Sequence, residues 1–271
     1  MQDRSDFSAG YSAYRERSDN RALVHPAEVF AGLRRDETML RFHHIIHRTR
    51  PERSYGMKYY DITLPISDSL VLWPGDPPVQ ISQPSNIERG DTATITRISM
   101  GAHTGTHVDA PLHFIKDGGA VDTLLLDDLI GEAVVIDATG NSEISASVLG
   151  NLGIPPGTKR ILFKTDNSRH WERKESAFFT DYVAISDDGA VWLIENGCTV
   201  VGIDYLSIAP FYDTVSTHKT FLKAGVIVIE GIDLSSISPG NYHLICLPLK
   251  LQGGEGAPAR VVLMHPGNDI R

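Results

Sequence analysis

The amino-acid sequence predicts a mixed α/β domain, rich in strands and led by an appended N-terminal segment. Three observations carry that reading. Apolar residues make up 41% of the 271 positions and charged residues 22%, the proportions of an ordinary globular chain and not of a disordered one. From residue 57 onward, short β-branched and apolar runs alternate with Gly, Pro, Asn and Asp, the punctuation of strands joined by tight turns. Between them lie a few segments with helix start and stop signals.

In chain order, strands are expected at 59–63, 92–99, 133–138, 160–165, 200–203, 225–229, 242–247 and 260–264. Helices are expected at 145–152, opened by a polar Ser and closed by Gly153, at 187–196, closed by Gly197, and at 216–223, closed near Gly225. No internal repeat or low-complexity tract points to a solenoid or propeller. The sequence divides near Gly56. Residues 1–56 hold ten Arg and no Lys, whereas residues 57–271 hold seven Arg and all eight Lys. The first segment is expected to be an extension of unknown role, with a marginal helix over 27–48. Met57-Lys58-Tyr59-Tyr60 reads as the opening of a strand and as an alternative natural start. The cluster His43, His44 and His47 lacks a carboxylate or cysteine spaced to complete a metal shell. Arg-richness suits a transit peptide, but eight acidic residues in the same stretch do not.

A formal net charge of −9 argues against nucleic acid or an acidic membrane as partner, because both need clustered Lys and Arg. No apolar run reaches the roughly 20 residues that span a bilayer, so a soluble, cytoplasmic chain is expected. Cys198 and Cys246 match no metal or redox spacing and are expected to be buried thiols in strands.

The chemistry concentrates in Gly101-Ala-His-Thr-Gly-Thr-His-Val-Asp-Ala-Pro-Leu-His113, which holds three imidazoles and a carboxylate within eleven residues. Imidazole with carboxylate is the ligand set of catalytic Zn²⁺, or of Mn²⁺ where oxygen donors dominate. His103 and His107 are four apart, the spacing of a helical turn, and Asp109 lies two beyond His107, the spacing of one strand face. Gly105 and Pro111 oppose a regular helix, so a strand-to-loop junction around a cation is expected. Thr104 stands where a zincin would need glutamate, which excludes that class. His113 is open to two readings, a proton carrier near neutrality or a further ligand. Glu230 closes an apolar run, where an ionised carboxylate is costly unless paired or bound to a cation. Trp73-Pro-Gly-Asp76 reads as a rigid turn presenting an indole, either to a ligand or to the core.

These residues resemble the HxGTHxDxPxH signature of the cyclase-like metal hydrolases, a family that includes bacterial kynurenine formamidases (arylformamidases) and isatin hydrolases. The likeness extends over residues 58–264 and includes Leu247-Pro-Leu-Lys250 and Gly256-Ala-Pro-Ala-Arg260. The resemblance implies a single swivelling β/β/α domain with a mixed sheet. It implies that His103, His107 and Asp109 ligate one metal, and that Asp109 with His218 and Glu230 holds a second. It assigns proton transfer to His113 and the lining of a substrate pocket to Trp73, and it implies a homodimer or homotetramer.

The expected activity is hydrolysis of an amide-type C–N bond, in an N-formyl aryl amine such as N-formylkynurenine or in a cyclic amide, by metal-activated water. A bound divalent cation lowers the pKa of its water from about 15.7 towards 7 and polarises the carbonyl. One or two Zn²⁺ or a single Mn²⁺ suit the ligands equally. Asp76, Asp204 and Arg260 are candidates for positioning substrate or bracing the site. Two other readings stand beside hydrolysis: a metal-assisted lyase or dehydratase working by proton abstraction, and a metal or ligand-binding protein without turnover. No serine nucleophile elbow is present to offer a different hydrolytic route.

Overall fold

A computed structural model describes residues 56–266. The N-terminal expectations, including the His43, His44 and His47 cluster, lie outside the described residues. Ten strands are present: β1 Met57–Asp61, β2 Gln80–Ser85, β3 Ile95–Ser99, β4 His107–Asp109, β5 Ile130–Asp137, β6 Arg160–Lys164, β7 Val200–Ile203, β8 Ile227–Glu230, β9 Gly240–Pro248 and β10 Gly256–Pro266. The helices are α1 Leu126–Leu129, α2 Ala146–Leu149, α3 Ser168–Glu172, α4 Asp187–Glu195 and α5 Thr214–Lys223.

The large sheet runs β1-β10-β4-β8-β7-β6-β5-β9, and β9 also pairs with β10. That second pairing closes seven strands into a barrel-like ring, with β1 added along the outer part of β10. Strands β5 to β8 are mutually parallel and the remaining contacts antiparallel. The expected mixed α/β class is therefore observed, with closure as the added feature.

Period-two alternation divides the strands between two cores. Val108, Leu162, Val200 and Ile229 belong to a buried cluster with Leu244, Cys246, Val261 and Leu263. Their neighbours Ile161, Phe163, Val201 and Val228 belong to a second cluster with the helical Leu149, Leu193, Phe221 and Leu222. Burying a Leu, Ile or Phe side chain contributes roughly 1.5–3 kcal/mol, so these two faces hold the fold. Gly202 is set by this packing, since a Cβ there would lie 2.4 Å from Leu162 Cδ2.

The helices start where side chains satisfy their free backbone N–H groups. Ser145 accepts from Val148, Ser186 from Gly189 and Asp213 from Ser216. Gly153, Gly197 and Gly225 all have positive φ, as expected of the stops. The helix expected at 145–152 is shorter, because only Ala146–Leu149 is regular before Gly150. The strand expected at 92–99 begins at Ile95, and the one expected at 225–229 is Ile227–Glu230, which brings Glu230 into the ladder. Cys246 lies in β9 as expected, but Cys198 is buried in the turn ahead of β7. Strand β2 and helices α1 and α3 are additions to the sequence reading, whereas β4 is the extended segment that the His107-x-Asp109 spacing implied. Among the described residues no helix is long and apolar enough to cross a membrane.

Candidate active site

Strand β4 is three residues long and fully buried. Its alternation sends Val108 to the interior cluster and leaves His107 and Asp109 on the opposite face. The antiparallel register sets His107 across from Glu230 and Asp109 across from Val228, so the glutamate joins the same face. Helix α5 packs there and buries Thr217, His218, Phe221 and Leu222. His218 is therefore a buried residue of the site and not a solvated helix position. His103 comes from the turn before β4, which Gly105 allows with φ +65°. Gly256 on β10 leaves room for the His103 ring, because a Cβ there would lie 2.7 Å from His103 Cε1 and 2.8 Å from the Val108 carbonyl oxygen.

His107 Nδ1 donates to the Gly105 carbonyl at 2.9 Å, which leaves its Nε2 as an acceptor. That nitrogen faces Glu230 Oε2 at 3.2 Å and Asp109 Oδ1 at 3.5 Å. His218 Nδ1 donates to the Thr214 carbonyl at 2.6 Å, and its Nε2 lies 3.0 Å from Glu230 Oε1 and 3.5 Å from Asp109 Oδ2. His103 Nδ1 donates to Asp109 Oδ1 at 2.8 Å. The buried atoms His103 Nε2, His107 Nε2 and Asp109 Oδ2 have no hydrogen-bond partner. Buried polar atoms without partners are costly by themselves, and a cation that displaced the proton of His103 would satisfy those it bound. Two sets of donors lie close enough to hold an ion: His103 with His107 and Asp109, and Asp109 with His218 and Glu230. Asp109 belongs to both. His113 belongs to neither.

The charges are tightly coupled. Burial would raise the Asp109 carboxyl, but the hydrogen bond from His103 and the nearby imidazoles hold it well below the usual carboxylate range. Burial and the Asp109 charge push Glu230 upward, yet His107 and His218 hold it below its ordinary value. Burial alone would lower His103, but Asp109, Glu230 and Glu255 raise it to about 9. His218 is raised in the same way, burial being outweighed by Glu230. His113 goes the other way: burial lowers it, and the charges of His103 and His218 lower it further against the pull of Asp109. Its ring stacks on His103 at 4.0 Å and 27°.

A cavity of about 240 Å³ opens onto this centre. Trp73 lines it and also packs edge-on to Phe178 at 5.1 Å. Asp76 lines the same cavity. Asp204 is not among the residues lining the cavity; fully buried, it accepts from the Thr165 and Ser168 amides and hydroxyls at 2.6–3.1 Å. Arg260 instead pairs with Asp61 at the surface, at 2.5 Å. The sequence reading did not reach Phe114, Ser207 and Thr214, which line the cavity, or the Ile208 amide, which donates to Glu230 Oε1 at 2.7 Å. Phe114 adjoins the motif, whereas Ser207 carries no sequence signal of its role.

A barrel face with two carboxylates, three imidazoles and an adjoining cavity has the donors of a divalent-metal centre. The family described as "Putative cyclase" matches residues 60–210. The chain is 38% identical to cyclase-like protein 3 of Oryza sativa subsp. japonica, over 79% of this chain and 83% of that protein. It is 34% identical to the kynurenine formamidase of Salinibacter ruber, over 76% of this chain and 97% of that enzyme. Among solved structures, a protein titled a predicted metal-dependent hydrolase from Bacillus stearothermophilus is 38% identical, covering 77% of this chain and 98% of its own, with a TM-score of 0.66. Isatin hydrolase A of Labrenzia aggregata shares the fold at 22% identity and a TM-score of 0.66, over 78% and 94% of the two chains. The chain belongs to the cyclase family.

Proposed function

We propose that this protein hydrolyses an amide-type C–N bond in a small aryl formamide or cyclic amide. His103, His107 and Asp109 would hold one divalent cation, and Asp109, His218 and Glu230 a second. The observation that carries the reading is the sharing of Asp109 between two donor sets, all buried but for the partly buried His103, with a lowered-pKa imidazole beside them. When bound, a divalent cation supplies water activation and carbonyl polarisation. The chain's own residues supply the rest. His113, neutral at physiological pH, accepts a proton from the attacking water and returns one to the leaving nitrogen. Trp73 and Phe114 present aromatic surface to a planar acyl or aryl group. Similarity to a kynurenine formamidase and to isatin hydrolase A supports an aromatic amide as substrate.

Zn²⁺ or Mn²⁺ fits the donors, and the test begins with metal analysis of protein purified without added metal. Two ions per chain are expected. A stoichiometry of one would remove His218 and Glu230 from the ligand set. Formanilides and lactams assayed in ¹⁸O-labelled water should then give labelled carboxylate. Product without label would show elimination and sink the hydrolytic reading.

A further inference from the structure

We propose that Glu255 is a positioning residue of the metal centre: its carboxylate accepts a hydrogen bond from Nε2–H of His103 and so presents Nδ1, the other ring nitrogen, to the cation. Glu255 acts in this way only if His103 is a ligand, as the proposed function has it; substrate and reaction do not enter. An imidazole that gives one nitrogen to a metal carries its proton on the other, and the acceptor of that N–H fixes the tautomer and the direction of the ring. Two of the three imidazoles in the donor sets have such an acceptor in the backbone. His107 Nδ1 donates to the Gly105 carbonyl at 2.9 Å and His218 Nδ1 to the Thr214 carbonyl at 2.6 Å, so each offers Nε2 to an ion.

His103 is turned the other way. Its Nδ1 lies 2.8 Å from Asp109 Oδ1, the oxygen that His107 Nε2 also faces, and a cation held there takes the place of the Nδ1 proton. The ring's remaining proton is then on Nε2, a buried atom without a hydrogen bond. Glu255 Oε1 is 3.6 Å from it. That is just beyond the reach of a hydrogen bond, about 3.2 Å, and rotation of the half-exposed Glu255 side chain can close the gap. The backbone sets Glu255 in place. It directly precedes Gly256, which pairs with Asp109. The Glu255 carbonyl accepts from the Ala110 amide at 2.9 Å and the Gly254 carbonyl from the Val121 amide at 2.8 Å. Glu255 is not among the residues lining the cavity, so its carboxylate serves the ring and not a substrate.

Zinc would be titrated into the chelator-stripped full chain in competition with a chromophoric chelator. The ring nitrogens of the zinc-loaded, ¹⁵N-histidine-labelled protein would be read by two-bond ¹H–¹⁵N correlation. One zinc-bound ring should be ligated through Nδ1 and protonated on Nε2, and every other ligand ring should show the reverse. Glu255→Ala should weaken one zinc about tenfold, the lower end of what such an outer partner is worth, and speed exchange of that Nε2 proton with water. Glu255→Gln, whose amide oxygen still accepts, should restore most of the affinity and the slow exchange. Unchanged affinity in Glu255→Ala, or an equal loss in both variants, which a merely nearby charge would give, would overturn the proposal. Zinc bound through Nε2 on every ring would overturn the role of Glu255 and leave the ligand set standing, whereas a chain that binds no zinc would overturn both. No readout involves turnover, so failure to hydrolyse any amide would refute the reaction alone.

Discussion

His103 and His113 stack face to face at 4.0 Å, yet their surroundings push them in opposite directions. His103 donates to a buried aspartate and is raised to about 9. His113 has no such bond and is lowered by burial and by its cationic neighbours. Two like groups with diverging pKa values suit different roles, and the proposed function gives the imidazole tied to Asp109 to the ion and the other one to proton exchange. His113→Gln should therefore lower kcat by about 10²- to 10⁴-fold, the usual worth of a general acid–base group, while the purified protein keeps its full metal content. Loss of an ion from that variant, read by metal analysis, would return His113 to the alternative role of ligand. The residue types of the motif make the metal reading visible from sequence alone. The choice between ligand and proton carrier is not visible there, because it depends on which side of His103 the ring occupies.

At the scale of elements, the site depends on a strand of only three residues. The spacing His107-x-Asp109 correctly implies one strand face, and the position of Glu230 at the end of an apolar run implies a buried charge with a partner. The four-residue spacing of His103 and His107 suits a helical turn, but His107 lies in β4 and His103 in the turn before it. The partnership of β4 with β8 and β10 could not be read either, because such pairings are set by contacts far apart in sequence. Gly256 shows how much rests on that register. It sits opposite Asp109, and an added Cβ would come within 2.7 Å of the His103 ring and 2.8 Å of the Val108 carbonyl. The ring cannot retreat freely, since His113 is stacked on it. Gly256→Ala should thus lower metal affinity at least tenfold and cut activity with it, while far-UV circular dichroism keeps the strand signal. Unchanged metal affinity in a titration would show that the close approach at Gly256 is not needed for the site.

For the whole molecule, a buried charge cluster on the face of a closed sheet ties stability to pH and to metal in opposite senses. In the metal-free protein His103 is raised from 6.5 to about 9 by Asp109. A group raised in the folded state stabilises the fold fully below its unfolded value and loses that contribution as pH rises through the folded one. The metal-free protein should therefore lose stability between about pH 6.5 and 9 from this pair. A cation must displace the same proton, so its binding releases protons and strengthens with rising pH, by up to tenfold per unit for each proton displaced. Binding to the folded state alone then adds stability in proportion to the logarithm of free metal over Kd. The gap in Tm between zinc-loaded and chelator-treated protein should consequently widen from pH 6 to pH 9. Calorimetric titration of zinc in buffers of different ionisation enthalpy at pH 7 should register proton release. A gap that narrows with pH, or zinc binding with no proton released, would show that His103 does not carry a proton into the metal-free state and that its hydrogen bond to Asp109 is made as a neutral imidazole.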